Sequence, residues 1–232
     1  MNRVDLINLL LAKTDGTNYL EIGVEYGASF LRVSARNKLA VDPRFRLLEL
    51  IKFMSKFTAG DCQFFGCTSD EFFAKQAGYL KRNPIDLAFV DGLHTFEQSL
   101  RDVENCLKYL NDGGFVIVHD CNPRSSEAAR VADSHHNASR LRWGKFVPKI
   151  AVPWTGDVWK TIVYLRSKRN DVDVSVLDYD HGLGIIRKGR SEDRLSLGDK
   201  EIELMTYNDL EKNRTKLLNL KQAAAEDLFF GS

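Results

Sequence analysis

The sequence predicts an α/β protein with a doubly wound, mostly parallel sheet. Three observations carry that expectation. Runs of four to seven residues, apolar on both faces, recur through the first two thirds of the chain and end in Asp or Gly. Strands covered by helices on both sides read this way. Between them lie stretches with helical apolar spacing, and this alternation of rhythms marks a sheet built from crossover helices. Toward the C-terminus two further strands are joined by a link too short for a crossover, which predicts an antiparallel pair at a sheet edge.

Taken in order, residues 1–16 (MNRVDLINLLLAKTDG) have a short apolar core interrupted by Asp5 and Asn8. They read as an amphipathic helix and not a secretion signal. Parallel strands are expected over 19–24, 39–42, 63–67, 86–91 and 115–120, with crossovers over 28–36, 46–56, 70–81 and 96–110. The last crossover is the best defined. Phe96, Leu100, Val103, Leu107 and Leu110 make one stripe, Thr95 can cap its start, and Asn111-Asp112-Gly113-Gly114 can stop it. Residues 125–142 and 156–165 have helical character. Strands over 172–177 and 182–187 flank the turn residues 178–182. Residues 191–205 look irregular, and 207–229 predict a terminal helix carrying Leu210, Leu217, Leu220, Ala224 and Leu228.

Composition excludes several classes. The 232 residues, 44% hydrophobic and 28% charged, describe a globular chain with one substantial domain. Lys and Arg total 33 against 32 Asp and Glu, so no global field exists to hold nucleic acid or an anionic membrane. No apolar run approaches the roughly 18–20 residues that span a bilayer. Cys62, Cys67, Cys106 and Cys121 form no C-x-x-C pair and no disulfide framework. A reducing cytoplasm is the expected location.

The first strand runs into Glu21-Ile22-Gly23-Val24-Glu25-Tyr26-Gly27-Ala28-Ser29. A strand, a glycine turn and a helix start together make a seat for a nucleotide-like ligand. The dinucleotide fingerprint is incomplete, since Glu25 occupies the middle glycine position, and no P-loop is present. Asp42 follows at the second strand end, where a carboxylate can accept both ribose hydroxyls of an adenosine. Asp91 and Asp120 end adjacent predicted strands, with His94 and His119 close by in sequence. Such a cluster suits a hard divalent ion or acid–base work. His135 and His136 read as surface residues. Trp154 and Trp159 are either stacking platforms for an acceptor or core, and Arg142, Lys145 and Lys160 are either anion handles or solvated charges.

On these residues the chain resembles the class I S-adenosylmethionine-dependent methyltransferases, in particular the small-molecule group that includes the macrocin and sugar O-methyltransferases. Glu21, Gly23 and Gly27 match that family's first motif. Asp42 matches its ribose-binding acid, Thr68-Ser69-Asp70 its adenine-contacting region, Val90-Asp91-Gly92-Leu93-His94 its fourth-strand motif, and Gly113-Gly114 with Asp120 its fifth strand. The resemblance implies a Rossmann-like, seven-stranded sheet with an antiparallel last strand. It implies a methyltransferase domain over 1–190, followed by a charged connector and C-terminal helix over 191–232. It also implies methyl transfer from S-adenosylmethionine to a hydroxyl, or in second place an amine, of a small molecule such as a sugar or a natural-product scaffold. Glu21, Gly23, Gly27, Asp42, Ser69, Asp70 and Asp91 would bind the cofactor. His94 and Asp91 would be catalytic, and Asp91 with Asp120 would hold Mg2+ where a metal takes part. His119 stands where the family has a second acid, which weakens the metal reading. The alternatives are a non-catalytic cofactor-binding scaffold of the same fold and an NAD-linked oxidoreductase. Glu25 opposes the latter because it would repel a pyrophosphate. The expected partners are a small-molecule acceptor and a second copy of the chain through the terminal helix, without nucleic acid or membrane.

Overall fold

The computed structural model describes residues 2–47, 49, 61–131, 154–191 and 193–222. They divide into two compact units, Met1–Gly92 with Arg101–Ile117, and Leu93–Leu100 with Val118–Ser232.

The first unit opens with helix α1 (Arg3–Lys13). Asn2 caps it by accepting from the Val4 and Asp5 N–H groups, and Asp5 answers in a capping box. Leu6, Ile7 and Leu10 are fully buried, and α1 packs against β4. The strands are β1 (Asn18–Ile22), β2 (Asn37–Val41), β3 (Asp61–Phe65), β4 (Ile85–Val90) and β5 (Leu110–Val118, all but its last residue in this unit). Their order is β3-β2-β1-β4-β5, and β1 pairs in parallel with both β2 and β4. The reversal of strand order at β1 and β4 is the doubly wound arrangement. At the opposite edge of this sheet, Asp86 accepts from the Thr17 and Asn18 N–H groups at 2.7 and 2.8 Å, tying the start of β1 to β4.

One crossover differs from its expectation. Where a helix is predicted over 28–36, only a 3-10 turn forms, Phe30–Arg32. Its carbonyls are taken by a buried lysine: Lys38 Nζ donates to Phe30 O at 2.7 Å and Val33 O at 3.0 Å. These bonds let the chain leave the helical path with its polar groups satisfied. Burial lowers the Lys38 pKa. Of the 46–56 crossover, most residues lie outside those described. Helix α2 (Ser69–Arg82) forms as expected, with the Thr68 hydroxyl accepting from Glu71 N–H.

Helix α3 (Phe96–Lys108) stops two residues short of Leu110, which opens β5 together with 111–114. Thr95 does not cap it, because its hydroxyl oxygen is buried without a hydrogen-bond partner. Asp157, 61 residues away, takes the Phe96 N–H at 2.7 Å instead.

The second unit contains α4 (Trp159–Lys168), β6 (Val172–Leu177), β7 (Leu183–Lys188), α5 (Asp199–Leu204), α6 (Tyr207–Leu218) and the two-residue β8 (Leu220–Lys221). Strands β6 and β7 form the antiparallel pair, and β8 adds to β6 in parallel, in the order β7-β6-β8. The strands therefore number eight among the described residues, β8 being the one beyond the expected seven. The segment expected to be irregular contains α5. The terminal helix ends at Leu218 because Asn219 turns left-handed (φ 46°). Leu220 thus lies in a strand, while Ala224 and Leu228 fall outside the described residues. Arg166, nearly inaccessible, donates to the Leu217 and Asp193 carbonyls at 3.0 and 2.7 Å and fastens these segments to α4. No described helix is long and apolar enough to cross a membrane.

Candidate active site

Strand register builds the carboxyl edge of the first unit's sheet. Ile22 lies opposite Val41 and Val90, and Val41 opposite Phe65. Gly23, Asp42, Gly66 and Asp91 come next, so they share the carboxyl edge of the first unit's sheet, where open α/β sheets bind ligands. The edge is stitched by Gly23 N–H to Val41 O at 2.9 Å, Asp42 N–H to Phe65 O at 3.2 Å and Asp91 N–H to Ile22 O at 2.9 Å.

Gly23 has φ 89°, and a Cβ there would sit 2.0 Å from the Asp91 carbonyl oxygen. Only glycine satisfies both demands. The turn beyond it is held by Asp42, whose Oδ2 accepts from Glu25 N–H at 2.8 Å and whose Oδ1 accepts from Arg44 N–H at 2.7 Å. Glu25 itself is left-handed (φ 47°) and lies 3.6 Å from the Arg46 guanidinium. Gly27 (φ 75°) closes the turn by donating to Val24 O.

Glu21 is buried at 2% exposure, and its Oε2 accepts the Tyr19 hydroxyl at 2.5 Å. Burial is the main reason its carboxyl is pushed up from 4.5 to about 8, and the Asp91 charge adds to it. Asp91 takes Arg3 Nη1, from α1, at 3.3 Å. Ser69 is buried at the start of α2, whereas Asp70 is exposed and pairs with Arg101 at 3.0 Å.

The second unit, by itself, holds a group of imidazoles and carboxylates. His94 Nδ1 is 2.9 Å from the Trp154 carbonyl oxygen and 3.2 Å from Asp120 Oδ2. Both neighbours are acceptors, so Nδ1 carries the hydrogen and Nε2 keeps the lone pair in the neutral ring. The Trp154 ring stacks on the imidazole, with centroids 5.3 Å apart. Gly156 allows this approach: at φ 62°, a Cβ there would meet the His94 carbonyl oxygen at 1.8 Å. His119 Nδ1 is 3.1 Å from Asp120 Oδ1, and its Nε2 is 3.6 Å from Asp180 Oδ1.

The remaining sequence candidates divide. Trp154 stands against His94, but Trp159 is core and Lys160 is buried, donating to Glu203 O at 2.7 Å, so neither meets an acceptor. Arg142, Lys145, His135 and His136 lie outside the described residues. Sequence reasoning missed Arg3, Asp157, Asp180 and the Trp154 carbonyl. The one available signal was the turn Asp178-Tyr179-Asp180-His181-Gly182, which carries more ionisable groups than a hairpin link requires.

Residues 20–121 match the sequence profile of a family described as a methyltransferase domain. No curated protein matches the chain. Among solved structures, the chain is similar to an SAH-bound methyltransferase from Podospora anserina, with 16% identity, TM-score 0.55, and 81% of this chain and 78% of that one covered. It is also similar to a putative O-methyltransferase from Klebsiella pneumoniae, with 13% identity, TM-score 0.51, and coverage of 81% and 80%. An O-methyltransferase from Bacillus cereus in complex with SAH has 13% identity, TM-score 0.50 and the same coverage. At these identities the likeness is one of fold, and it agrees with the Rossmann-like class read from the sequence.

Proposed function

We propose that this chain is a class I S-adenosylmethionine-dependent methyltransferase that moves the methyl group to a hydroxyl, or in second place an amine, of a small molecule such as a sugar or a natural-product scaffold. The cofactor half of this reading rests on the carboxyl edge of the first unit. Gly23 and Gly27 let the backbone approach the donor. Asp42, with both oxygens already fixing the turn, keeps lone pairs for the ribose hydroxyls. Ser69 and Asp70 are the adenine-side candidates. Glu21 and Asp91 provide acidic groups for a ligand that carries a sulfonium and an ammonium and no pyrophosphate.

The observation that carries the catalytic half is the pair of acceptors at His94 Nδ1. With its Nδ1–H held by the Trp154 carbonyl and the Asp120 carboxylate, Nε2 is the atom that takes a proton. The acceptor oxygen loses its hydrogen to Nε2 and attacks the methyl carbon. The carbon–sulfur bond breaks, and its electron pair leaves with sulfur as a neutral thioether. Asp120 stabilises the imidazolium that forms.

The carboxylates expected to hold magnesium, Asp91 and Asp120, are each already engaged within their own unit and do not fit it. That ion wants an octahedral shell of oxygens. Asp91 already faces the Arg3 guanidinium, and each Asp120 oxygen faces an imidazole nitrogen. No step is routed through a metal. The four free thiols support a cytoplasmic location. A homodimer through the terminal helix finds little support in Leu210 and Leu217, which are already buried.

Calorimetry on the full chain tests the reading. S-adenosylhomocysteine should bind in the micromolar range. His94→Gln should leave that affinity within about twofold while lowering turnover by about 100-fold or more. Folded protein that binds none of the product removes the proposal.

A further inference from the structure

We propose that Asp157 is a positioning residue for His94: its hold on the Phe96 N–H clamps residues 154–157 against 94–96 and so sets the Trp154 carbonyl and ring on the imidazole. This rests on the reading of His94 as the base, and every residue in it belongs to the second unit. Asp157 Oδ1 accepts from Phe96 N–H at 2.7 Å. Two residues before Phe96, His94 Nδ1 lies 2.9 Å from the Trp154 carbonyl oxygen, with the two rings stacked at 5.3 Å. Between these contacts, Gly156 lies so near the His94 carbonyl oxygen that a Cβ would come within 1.8 Å of it. The other side of segment 154–157 is fastened as well. Thr155 N–H, Gly156 N–H and the Thr155 hydroxyl all donate to Ala128 O, at 2.9, 3.0 and 3.0 Å, and Trp154 Nε1 donates to Arg130 O at 2.7 Å. With both sides tied, the Trp154 carbonyl has little freedom to leave Nδ1, and such support keeps a base in productive geometry.

The bond is not the one local chemistry would select. Thr95 is a capping residue by type and stands one position before the helix, yet its hydroxyl oxygen is buried without a hydrogen-bond partner. Asp157 does that task from 61 residues away. It does so as a buried acid, with the equally buried Lys160 placing Nζ 3.9 Å from Asp157 Oδ2. Burial raises the Asp157 pKa and lowers that of Lys160. Taking two charges out of water is expensive, and a cap alone does not require it, since Thr95 is already in place. What Asp157 adds, and Thr95 cannot, is a link to the segment that carries Trp154. The charge also suits its place, because the first N–H groups of a helix favour an anion.

Two substitutions isolate the bond. Asp157→Asn keeps an oxygen that can accept from Phe96 N–H, and Asp157→Leu keeps the size without an acceptor. Both lose the charge that faces Lys160, so the difference between them reports the bond. The full chain, labelled with 15N-histidine, is compared by NMR, with His94→Gln assigning the His94 signals. In the wild type and in Asp157→Asn the two His94 nitrogen signals of the neutral ring should stand apart, as one fixed tautomer requires, and in Asp157→Leu they should draw together. On any acceptor that supports turnover, Asp157→Leu should lose about tenfold in kcat with little change in the donor KM, while Asp157→Asn retains most of the rate. Asp157→Ser, whose oxygen ends short of the Phe96 N–H, repeats the comparison where Asp157→Leu does not fold. His94 signals at wild-type values in folded Asp157→Leu or Asp157→Ser, or shifted equally in Asp157→Asn, overturn the inference. So does a chain that unfolds with Asp157→Leu and Asp157→Ser alike, since Asp157 then serves stability alone. Failure of S-adenosylhomocysteine to bind would strike the functional reading instead, and the NMR comparison stands apart from it.

Discussion

The carboxyl edge of the first unit and the His/Asp row of the second are made differently. The edge is a product of backbone: four strands in register put Gly23, Asp42, Gly66 and Asp91 side by side whatever their side chains. The row is a product of side chains drawn from 94, 119–120, 154 and 180, held by a carbonyl and by strained turns. A site made from register tolerates side-chain change but not a change in backbone path. A site made from convergent side chains should fail one residue at a time.

The sharpest way to break this contrast uses the two glycines. Gly23→Ala and Gly156→Ala each place a Cβ about 2 Å from a carbonyl oxygen at positive φ, so each should lose about 3 kcal/mol of stability. Their functional losses should differ. Gly23→Ala abolishes binding of S-adenosylhomocysteine, while Gly156→Ala keeps binding and loses turnover. Melting curves and calorimetry on both variants decide this, and equal loss of binding in the two would erase the distinction.

A smaller effect is expected at Glu21. Its carboxyl holds a proton more tightly folded than unfolded, with a value raised from 4.5 to about 8. The stability it contributes is whole below 4.5 and is lost as pH rises through about 8. Between pH 6 and pH 9 the melting temperature should fall by about 4 °C or more from this group, and Glu21→Gln should flatten that fall. A wild-type curve as flat as the variant's would show that burial does not govern Glu21.

The smallest effect expected is none. A chelator in the assay should leave turnover unchanged, because the Asp91 and Asp120 oxygens face an arginine and two imidazoles. Loss of activity restored by magnesium would assign those carboxylates to a metal and recast the row as its ligand shell.

Much of the first unit's carboxyl edge is legible in the amino-acid sequence. Gly23, Asp42 and Asp91 follow directly from strand ends marked by a change in hydrophobic rhythm, and β6 runs over Val172–Leu177, the span expected of it. The errors have local causes. The helix expected over 28–36 fails because Lys38, a strand residue, captures its carbonyls. Thr95 is a good capping residue by type, but Asp157 supplies the bond. Leu110 suits a helix stripe by spacing, yet it begins β5.

The sequence by itself determined the fold class, the turn at Gly23 and the carboxylates at the strand ends, because each depends on residues close together in the chain and on the period of apolar burial. Only the tertiary structure decided that two acceptors face His94 Nδ1, that Arg3 pairs with Asp91, and that Asp157 takes the Phe96 N–H. Those outcomes depend on contacts between residues far apart in sequence, which no local preference encodes.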